Sequence, residues 1–519
     1  MLVSLDFNFI SMPIIFTISV AVSFLICVYF SNFIRMCYYV SKIRGPLAYP
    51  VIGNGLSLKG SHEELTNFIF KTANDYAPIT RLWMGPIPLL FTVEPKIVQE
   101  LLTSSSALEK AWFMKLIVKA LVRKSLVISE VPQWKRTRTL MMKGFTLSLL
   151  KLYFKIFEDK IDILTGILDK LELNKENTFD MYGSYLSKVA VDSICATSIG
   201  VDMNVLQTET SYFDAMGRSL NIMMKRGYNP LKYPDVFYRL TKDYKKLMEY
   251  RDMMWSFTRK VILEKRNKDK DPVNNKLINS ECLENIEYKK LSLLDIMLEF
   301  KKCNPDFTDD QLQDEINFLI IAGFDGIAKT VSMASLLLAL NKDIQTKVCE
   351  ELFQVLRETN RTKINFEDLA KLKFMEQVIK ETLRLFPGVP LILREVSKDI
   401  LIENYTIPKG ANIAIPIFSL HRNEVYWENS LKFDPERFTA DNIQKQHPYA
   451  FIPFSAGPRS CLGYRYAWVF MKLALAKLLS RYEFHTNIKD ISEIRFKLEI
   501  SMSVIGGHQV RITPRQRRF

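Results

Sequence analysis

Two kinds of apolar pattern divide the chain. Residues 7–34 carry no charge, and 13–34 is almost wholly apolar, long enough to span a bilayer as a helix. Beyond Gly45 the apolar positions recur mostly with helical spacing. They give way to β-branched alternation around Gly and Pro at 79–93, 392–417 and 494–512, which predicts short strands. One run stands apart. Thr308 with Gln311 three residues on forms a helix-capping pair, and 316–340 is mostly apolar, predicting a long buried helix. Gly323 and Gly326 lie inside it, each less favourable than alanine by about 1 kcal/mol, so some feature of the fold must offset them. No linker or internal repeat interrupts the rest; the most loop-like stretch is 264–291, rich in Lys, Asp and Asn. The pattern predicts a mainly α single domain with a minor β-sheet region at 35–519, behind an N-terminal membrane anchor at 1–34.

Charge orients that anchor. Arg35, Lys42 and Arg44 follow the apolar run, no Lys or Arg precedes it, and no small-residue cleavage site stands out. The run therefore reads as a transmembrane anchor in the endoplasmic reticulum membrane rather than a cleaved signal, with the body on the cytoplasmic face. Pro46 and Pro50 mark the junction between the run and the body. Seven cysteines, an odd number without a Cys-x-x-Cys pair, exclude a disulfide framework and fit a reducing compartment. In that compartment the triplets starting at Asn360 and Asn404 are chance matches to a glycosylation site. The 71 Lys and Arg against 57 Asp and Glu give a net charge of +14, which raises nucleic acid as a partner. No nucleic-acid motif or aromatic-basic array accompanies it, so no nucleic acid is expected; anionic membrane lipid and an acidic protein partner are.

The chemistry is concentrated in one loop. Phe454, Gly457, Arg459, Cys461 and Gly463 stand at fixed spacing directly before a helical pattern. A thiolate at Cys461 can bind haem iron and push electron density toward the opposite face, favouring O–O cleavage there. The helix N-terminus favours the ionised thiol. Gly457 can take backbone angles closed to other residues, Arg459 can pair with a haem propionate, Gly463 leaves room for close approach, and Phe454 covers the sulfur side. Elsewhere, Glu381 and Arg384 lie three apart on one helix face, where they can pair.

The phrase Phe-x-x-Gly-x-Arg-x-Cys-x-Gly resembles the signature of the cytochrome P450 superfamily, and the likeness runs from about Gly45 to the C-terminus. The resemblance implies the cytochrome P450 fold and haem b as cofactor, with Cys461 as axial ligand. It implies that Arg437, in Phe433-Asp434-Pro435-Glu436-Arg437-Phe438, joins Glu381 and Arg384 in a structural triad. It also implies that Arg394 pairs a propionate from a strand, and that Trp134 and Arg138 reach propionates from a helix on the other side. The chain looks most like the insect members of family 4. The thirteen residues 315–327, Glu-Ile-Asn-Phe-Leu-Ile-Ile-Ala-Gly-Phe-Asp-Gly-Ile, lie position for position on that family's Glu-Val-Asp-Thr-Phe-Met-Phe-Glu-Gly-His-Asp-Thr-Thr. Residues 448–453, just before the socket, look like it too. In this family the helix glycines mark a local opening where dioxygen and water sit.

Two departures carry information. Ala322 stands where many relatives have a glutamate that becomes ester-linked to the haem, so non-covalent haem is expected. Gly326 stands where most have the threonine that holds water against the iron-bound peroxide. Asp325 keeps half of the acid–alcohol proton relay, steps of a kind that contribute about 10²–10⁴-fold. Thr330 is the next alcohol along the same face, one turn on and in need of a bridging water, though a threonine there more often bonds back to the preceding turn.

The resemblance implies a monooxygenase that inserts one oxygen atom from O2 into a lipophilic small molecule such as a fatty acid, hydrocarbon, hormone or xenobiotic. Its electrons come from NADPH through cytochrome P450 reductase, with cytochrome b5 as a further donor; Lys135, Arg136 and Arg465 lie on the expected docking side. The pocket would draw on 107–127, 216–228, 321–330 and 389–393, all rich in apolar residues. Gly326 also admits a haem-thiolate isomerase or dehydratase that needs no reductase. A haem-bearing protein that binds lipophiles without turnover is the reading from a different class.

Overall fold

We describe residues 7–49, 52–55, 57, 60–171, 178–208, 210–269, 292–304 and 306–515 in a computed structural model of the protein. The uncharged N-terminal run forms one helix, Phe7–Ser41, whose residues 16–28 are exposed along their length. It does not stop at residue 34. Its last turns reach the body: Arg35 pairs with Asp399, and Val40, with Ile43 just beyond, is buried against Ile402 and Ile407. Apolar residues at 36, 40 and 43 give these turns a side to bury, which the charge-based boundary does not register.

The run from Thr308 becomes the long helix Asp309–Leu340, here called the distal helix. Thr308 and Gln311 form the expected capping box. From Ile327 to Ala339 every residue is buried, because the helix passes through the middle of the body, against Ser187–Ser198, Lys373–Leu385 and Tyr464–Arg481. Its hydroxyls need no outside partner: Ser332 and Ser335 bond back to the carbonyls of Ala328 and Val331 at 2.8 and 2.9 Å. The helix is unbroken across Gly323 and Gly326, so the expected opening is not seen. Close packing explains the first glycine, since a Cβ on Gly323 would stand 2.6 Å from the Ile194 side chain. A Cβ on Gly326 would meet nothing within 4 Å; this position faces open space.

The expected strand regions at 79–93 and 392–417 meet in one sheet. Strands β1 (Ile79–Met84) and β2 (Ile87–Thr92) form a hairpin. Strand β3 (Ile392–Glu395) pairs antiparallel with β4 (Asn412–Ile415), which lies parallel to β2, giving the order β1-β2-β4-β3. The third region forms the hairpin Phe496–Leu498 and Met502–Val504 and the strand Gln509–Pro514. That last strand pairs with two segments that periodicity does not reveal, the two-residue Phe179–Asp180 and Tyr482–His485, which follows a helix without a break. Of the loop-like stretch, 264–269 is the end of the helix Lys242–Asp269, and 270–291 lies outside the described residues.

Candidate active site

The socket is held by its backbone. Ser455 and Gly457 both take positive φ, 59° and 68°. A Cβ on Gly457 would stand 2.0 Å from the Leu102 carbonyl oxygen, so no other residue fits. The turn closes with Ser460 N–H on Gly457 O at 3.0 Å and Cys461 N–H on Phe454 O at 2.9 Å. Gly463 caps the helix Tyr464–Arg481, and a Cβ there would meet nothing within 4 Å. Phe454 packs edge-on against Tyr464 at 4.9 Å. The Cys461 thiol is accessible, yet it is so enclosed by protein that burial pushes its pKa up, opposed by the Gly463 N–H and Arg138. A side chain that is both desolvated and accessible faces an internal cleft. Ala322 is likewise exposed on the middle of the distal helix, although Ile320 and Phe324 beside it are buried.

Cations gather around the socket, with Glu109 the one acid whose field reaches Arg459. Arg394, on β3, and Arg459 are 2% and 8% exposed, and burial pulls both down to about 10. Arg138 and Lys110 also shift down through burial, Lys110 under the added field of Arg394 and Arg459. Among the described residues none of the four forms an ion pair. Buried charge without a counter-charge is unfavourable, and this cluster has the chemistry of a site for carboxylates. Arg459 donates to the carbonyls of Leu108, Leu126 and Ser129 at 3.0, 3.2 and 3.0 Å and lies 4.1 Å over the Trp134 ring. Arg138 donates to the Ser460 carbonyl at 2.8 Å. These two arginines, and Trp134 beneath one of them, thus brace the socket within the protein, contacts that the sequence does not foretell.

Glu381, Arg384 and Arg437 come together. Arg384 donates to both carboxylate oxygens of Glu381 at 2.7 and 2.8 Å with both side chains wholly buried, and Arg437 Nε lies 3.5 Å from Glu381. Arg384 also donates to the His421 carbonyl at 2.9 Å. His421 is a residue that sequence reasoning misses. Its Nε2 accepts the Ile452 N–H at 2.9 Å, and burial holds its pKa down to about 3, so it is a neutral strut between triad and socket. A histidine in an otherwise apolar turn carries no motif.

On the distal side the expected proton pair does not assemble. Asp325 accepts from Tyr182 and Ser501 and lies 3.2 Å from Lys329 Nζ. Burial pushes its carboxyl up, but Lys329, Ser501 and Tyr182 outweigh that and leave it lowered. The Thr330 hydroxyl donates to the Gly326 carbonyl at 2.7 Å, so the reading of Thr330 as a catalytic alcohol is corrected: its hydrogen is committed to the preceding turn. Gly326 faces Gly388, whose Cβ would stand 3.7 Å from the Gly326 Cα. Glu315 accepts the Leu126 N–H at 2.9 Å, and burial pushes it up to about 8. Two of the expected pocket segments, 107–127 and 216–228, meet along a groove of about 630 Å³ lined by Trp112, Leu116, Lys119, Lys124, Arg226 and Arg239.

The sequence model of the cytochrome P450 family matches residues 43–507, which contain the socket, the triad and the cation cluster. The chain belongs to the cytochrome P450 family. It is 30% identical to cytochrome P450 4V2 of Homo sapiens over 85% of this chain and 84% of that protein. It is 29% identical to cytochrome P450 4c21 of Blattella germanica over 92% and 94%, and 30% identical to cytochrome P450 4F6 of Rattus norvegicus over 88% and 85%. The protein is thus a haem-thiolate monooxygenase in its general chemistry, with a lipophilic substrate and a redox partner. Bound haem supplies activation of dioxygen; this P450 chain supplies a cysteine in an internal cleft and a cluster of cations that form no ion pairs among the described residues, which suit an iron ligand and two carboxylates.

Proposed function

We propose that this cytochrome P450 takes electrons from NADPH through cytochrome P450 reductase, with cytochrome b5 as a second donor, and oxidises a lipophilic substrate at the endoplasmic reticulum membrane. Its body lies on the cytoplasmic face. The observation that carries the reading is the enclosed but accessible Cys461 beside buried arginines that have no acid partner. Cys461 is the axial ligand; Arg394, Arg459 and Arg138 hold the propionates with Trp134; and Ala322, lacking a carboxylate, leaves the haem non-covalent. Asp325, ionised among Lys329, Ser501 and Tyr182, is the distal group that takes up and passes on a proton. Lys135, Arg136 and Arg465 are exposed, as a docking face for an acidic donor requires. Among fatty acids, hydrocarbons, hormones and xenobiotics, the groove favours acidic lipids, because its cations, Lys119, Lys124 and Arg239 among them, outnumber its acids Glu130 and Asp235 beside Trp112 and Leu116.

The test is a Soret titration of the ferric full-length protein in detergent, since residues 35–41 pack on the body and do not detach cleanly. Fatty acids are expected to shift the band toward the high-spin form more strongly than neutral hydrocarbons, terpenoids or plant toxins. A thiolate spectrum that no compound moves would count against the monooxygenase reading. Gly326, open and without an alcohol in reach, favours one alternative, a haem-thiolate isomerase or dehydratase; it would turn over without reductase.

A further inference from the structure

The groove beside the helix Trp112–Val122 carries more positive charge than its surroundings neutralise. Four of its cations are paired: Lys115 with Glu109 at 3.6 Å, Arg123 with Asp310 and Asp314 at 3.5 and 3.4 Å, Arg226 with Asp235 at 2.5 Å, and Arg251 with Asp252 at 2.8 Å. Lys119, Lys124 and Arg239 line the same groove, are exposed, and form no ion pair among the described residues. Lys115, Lys119 and Arg123 also follow one another at four-residue spacing, where like charges on a helix repel. The frame that holds them is firm. Arg226, 4% exposed, donates to the carbonyls of Leu116, Lys232 and Tyr233 at 3.0, 3.0 and 2.9 Å, which ties the helix Trp112–Val122 to the segment leading to Arg239. Arg123 is stacked 4.6 Å over the Trp255 ring.

The groove is distinct from the cleft. Its lining includes neither Cys461 nor Ala322, and one of its walls is the loop 123–130. That loop is gripped from behind. The Leu126 and Ser129 carbonyls accept from Arg459 at 3.2 and 3.0 Å, and the N–H groups of Lys124 and Leu126 donate to Asp314 and Glu315 at 3.4 and 2.9 Å. The same few residues therefore present Arg123 and Lys124 to the groove and hold a socket arginine on their other side.

We propose that this groove is an effector site for a phosphate monoester group, and that its occupancy tightens the loop 123–130 and, through Arg459, the cleft. The inference rests on the reading of the groove as selective for acidic lipids and adds a second occupant, which is bound and not oxidised. Three unpaired cations exceed what one carboxylate neutralises, whereas a phosphate monoester carries about −1.5 to −2 charges at neutral pH and offers three acceptor oxygens. Neutralising Lys119, Lys124 and Arg239 removes the repulsion between the helix, the loop and the segment opposite, so the walls draw together. A ligand that then enters the cleft loses less entropy in ordering the loop. The group has two sources. The exposed Val236, Phe237 and Leu240 beside Arg239 suit the head of a membrane phospholipid, and a soluble phosphate ester offers the same oxygens.

The test uses the full-length ferric holoprotein in neutral detergent at constant ionic strength, with chloride as the reference anion. Inorganic phosphate is expected to raise the melting temperature and to lower the apparent Kd of a fatty acid, read by Soret titration, about 5-fold. Phosphatidic acid in phosphatidylcholine nanodiscs tests the lipid source, and an effect there with none from inorganic phosphate assigns the site to a lipid head. Lys119→Glu combined with Lys124→Glu is expected to abolish both effects. A fatty acid titration that phosphate moves to higher concentration means that the groove holds the substrate's own acid; this overturns the effector site and leaves the substrate reading standing. No effect from either phosphate source, or one that persists in the double variant, also overturns the site. Fatty acids that move no Soret band, while phosphate still raises the melting temperature in the unmodified protein and not in the variant, overturn the acidic substrate and uphold the site.

Discussion

The two faces of the cleft are built by opposite means. On the cysteine face, ten consecutive residues fold upon themselves: Gly457 has no room for a side chain, and Cys461 bonds back to Phe454. On the distal face a side chain at the decisive position, Gly326, would touch nothing, and the groups around it arrive from residues 182, 388 and 501. The first face tolerates little change because its backbone is the device. The second is open to adjustment, because its chemistry resides in side chains contributed by distant segments.

Breaking the cysteine face should have the largest effect. Cys461→Ser is expected to abolish the thiolate-type ferrous–CO spectrum and to bring turnover below detection, while Arg394 and Arg459 still retain haem. A thiolate-type spectrum in this variant would refute the ligand assignment. Next in size is Glu381→Gln, which leaves the buried Arg384 and the half-buried Arg437 without their carboxylate. We expect a loss of about 3–5 kcal/mol, read by denaturant unfolding, and a change under 1 kcal/mol would show that the triad is not a support.

The two glycines of the distal helix sharpen the contrast between a filled and an open position. Gly323→Ala drives a Cβ into Ile194 and should destabilise the protein by about 1–3 kcal/mol, whereas Gly326→Ala should stabilise it by up to about 1 kcal/mol through helix propensity. Equal melting temperatures for the two would remove the distinction. Gly326→Thr restores the missing alcohol into open space and should raise product formed per reduced nicotinamide; unchanged coupling would show that Gly326 is no defect in proton supply.

The smallest effect concerns Glu315. Its folded-state pKa of about 8 lies above the ordinary 4.5, so the native state keeps a proton that the unfolded chain gives up. Its contribution is therefore most favourable below pH 4.5 and declines as pH rises toward 8. Glu315→Gln should remove that decline, gaining on the order of 1 kcal/mol over the unmodified protein at neutral pH. Melting curves that stay parallel from pH 5 to 8 would contradict it.

The same contrast decides what could be read from the chain. The socket and the pair Glu381 and Arg384 are local, with spacing that states the contact outright. The distal helix and the three strand regions follow from periodicity and capping. Lys329 is a different case: on its own helix it is one charged residue in an apolar run, and only contact with Ser501 and Ser503, more than 170 positions away, gives it meaning. Asp325 likewise reads as half of a relay in the sequence but is found bonded away into that network. The strand Phe179–Asp180 is two residues long and has no period to detect.

The unbroken helix Phe7–Ser41 makes the N-terminal segment a mast, not a tether. Because Arg35 grips Asp399 and Val40 is sunk into the body, the azimuth of the whole enzyme about that mast is set by helical phase. One residue inserted near position 34 would swing the membrane-facing stripe by about 100° and raise the body by about 1.5 Å. The length of the mast thus fixes the bearing of the cleft about the helix axis, before anything enters it.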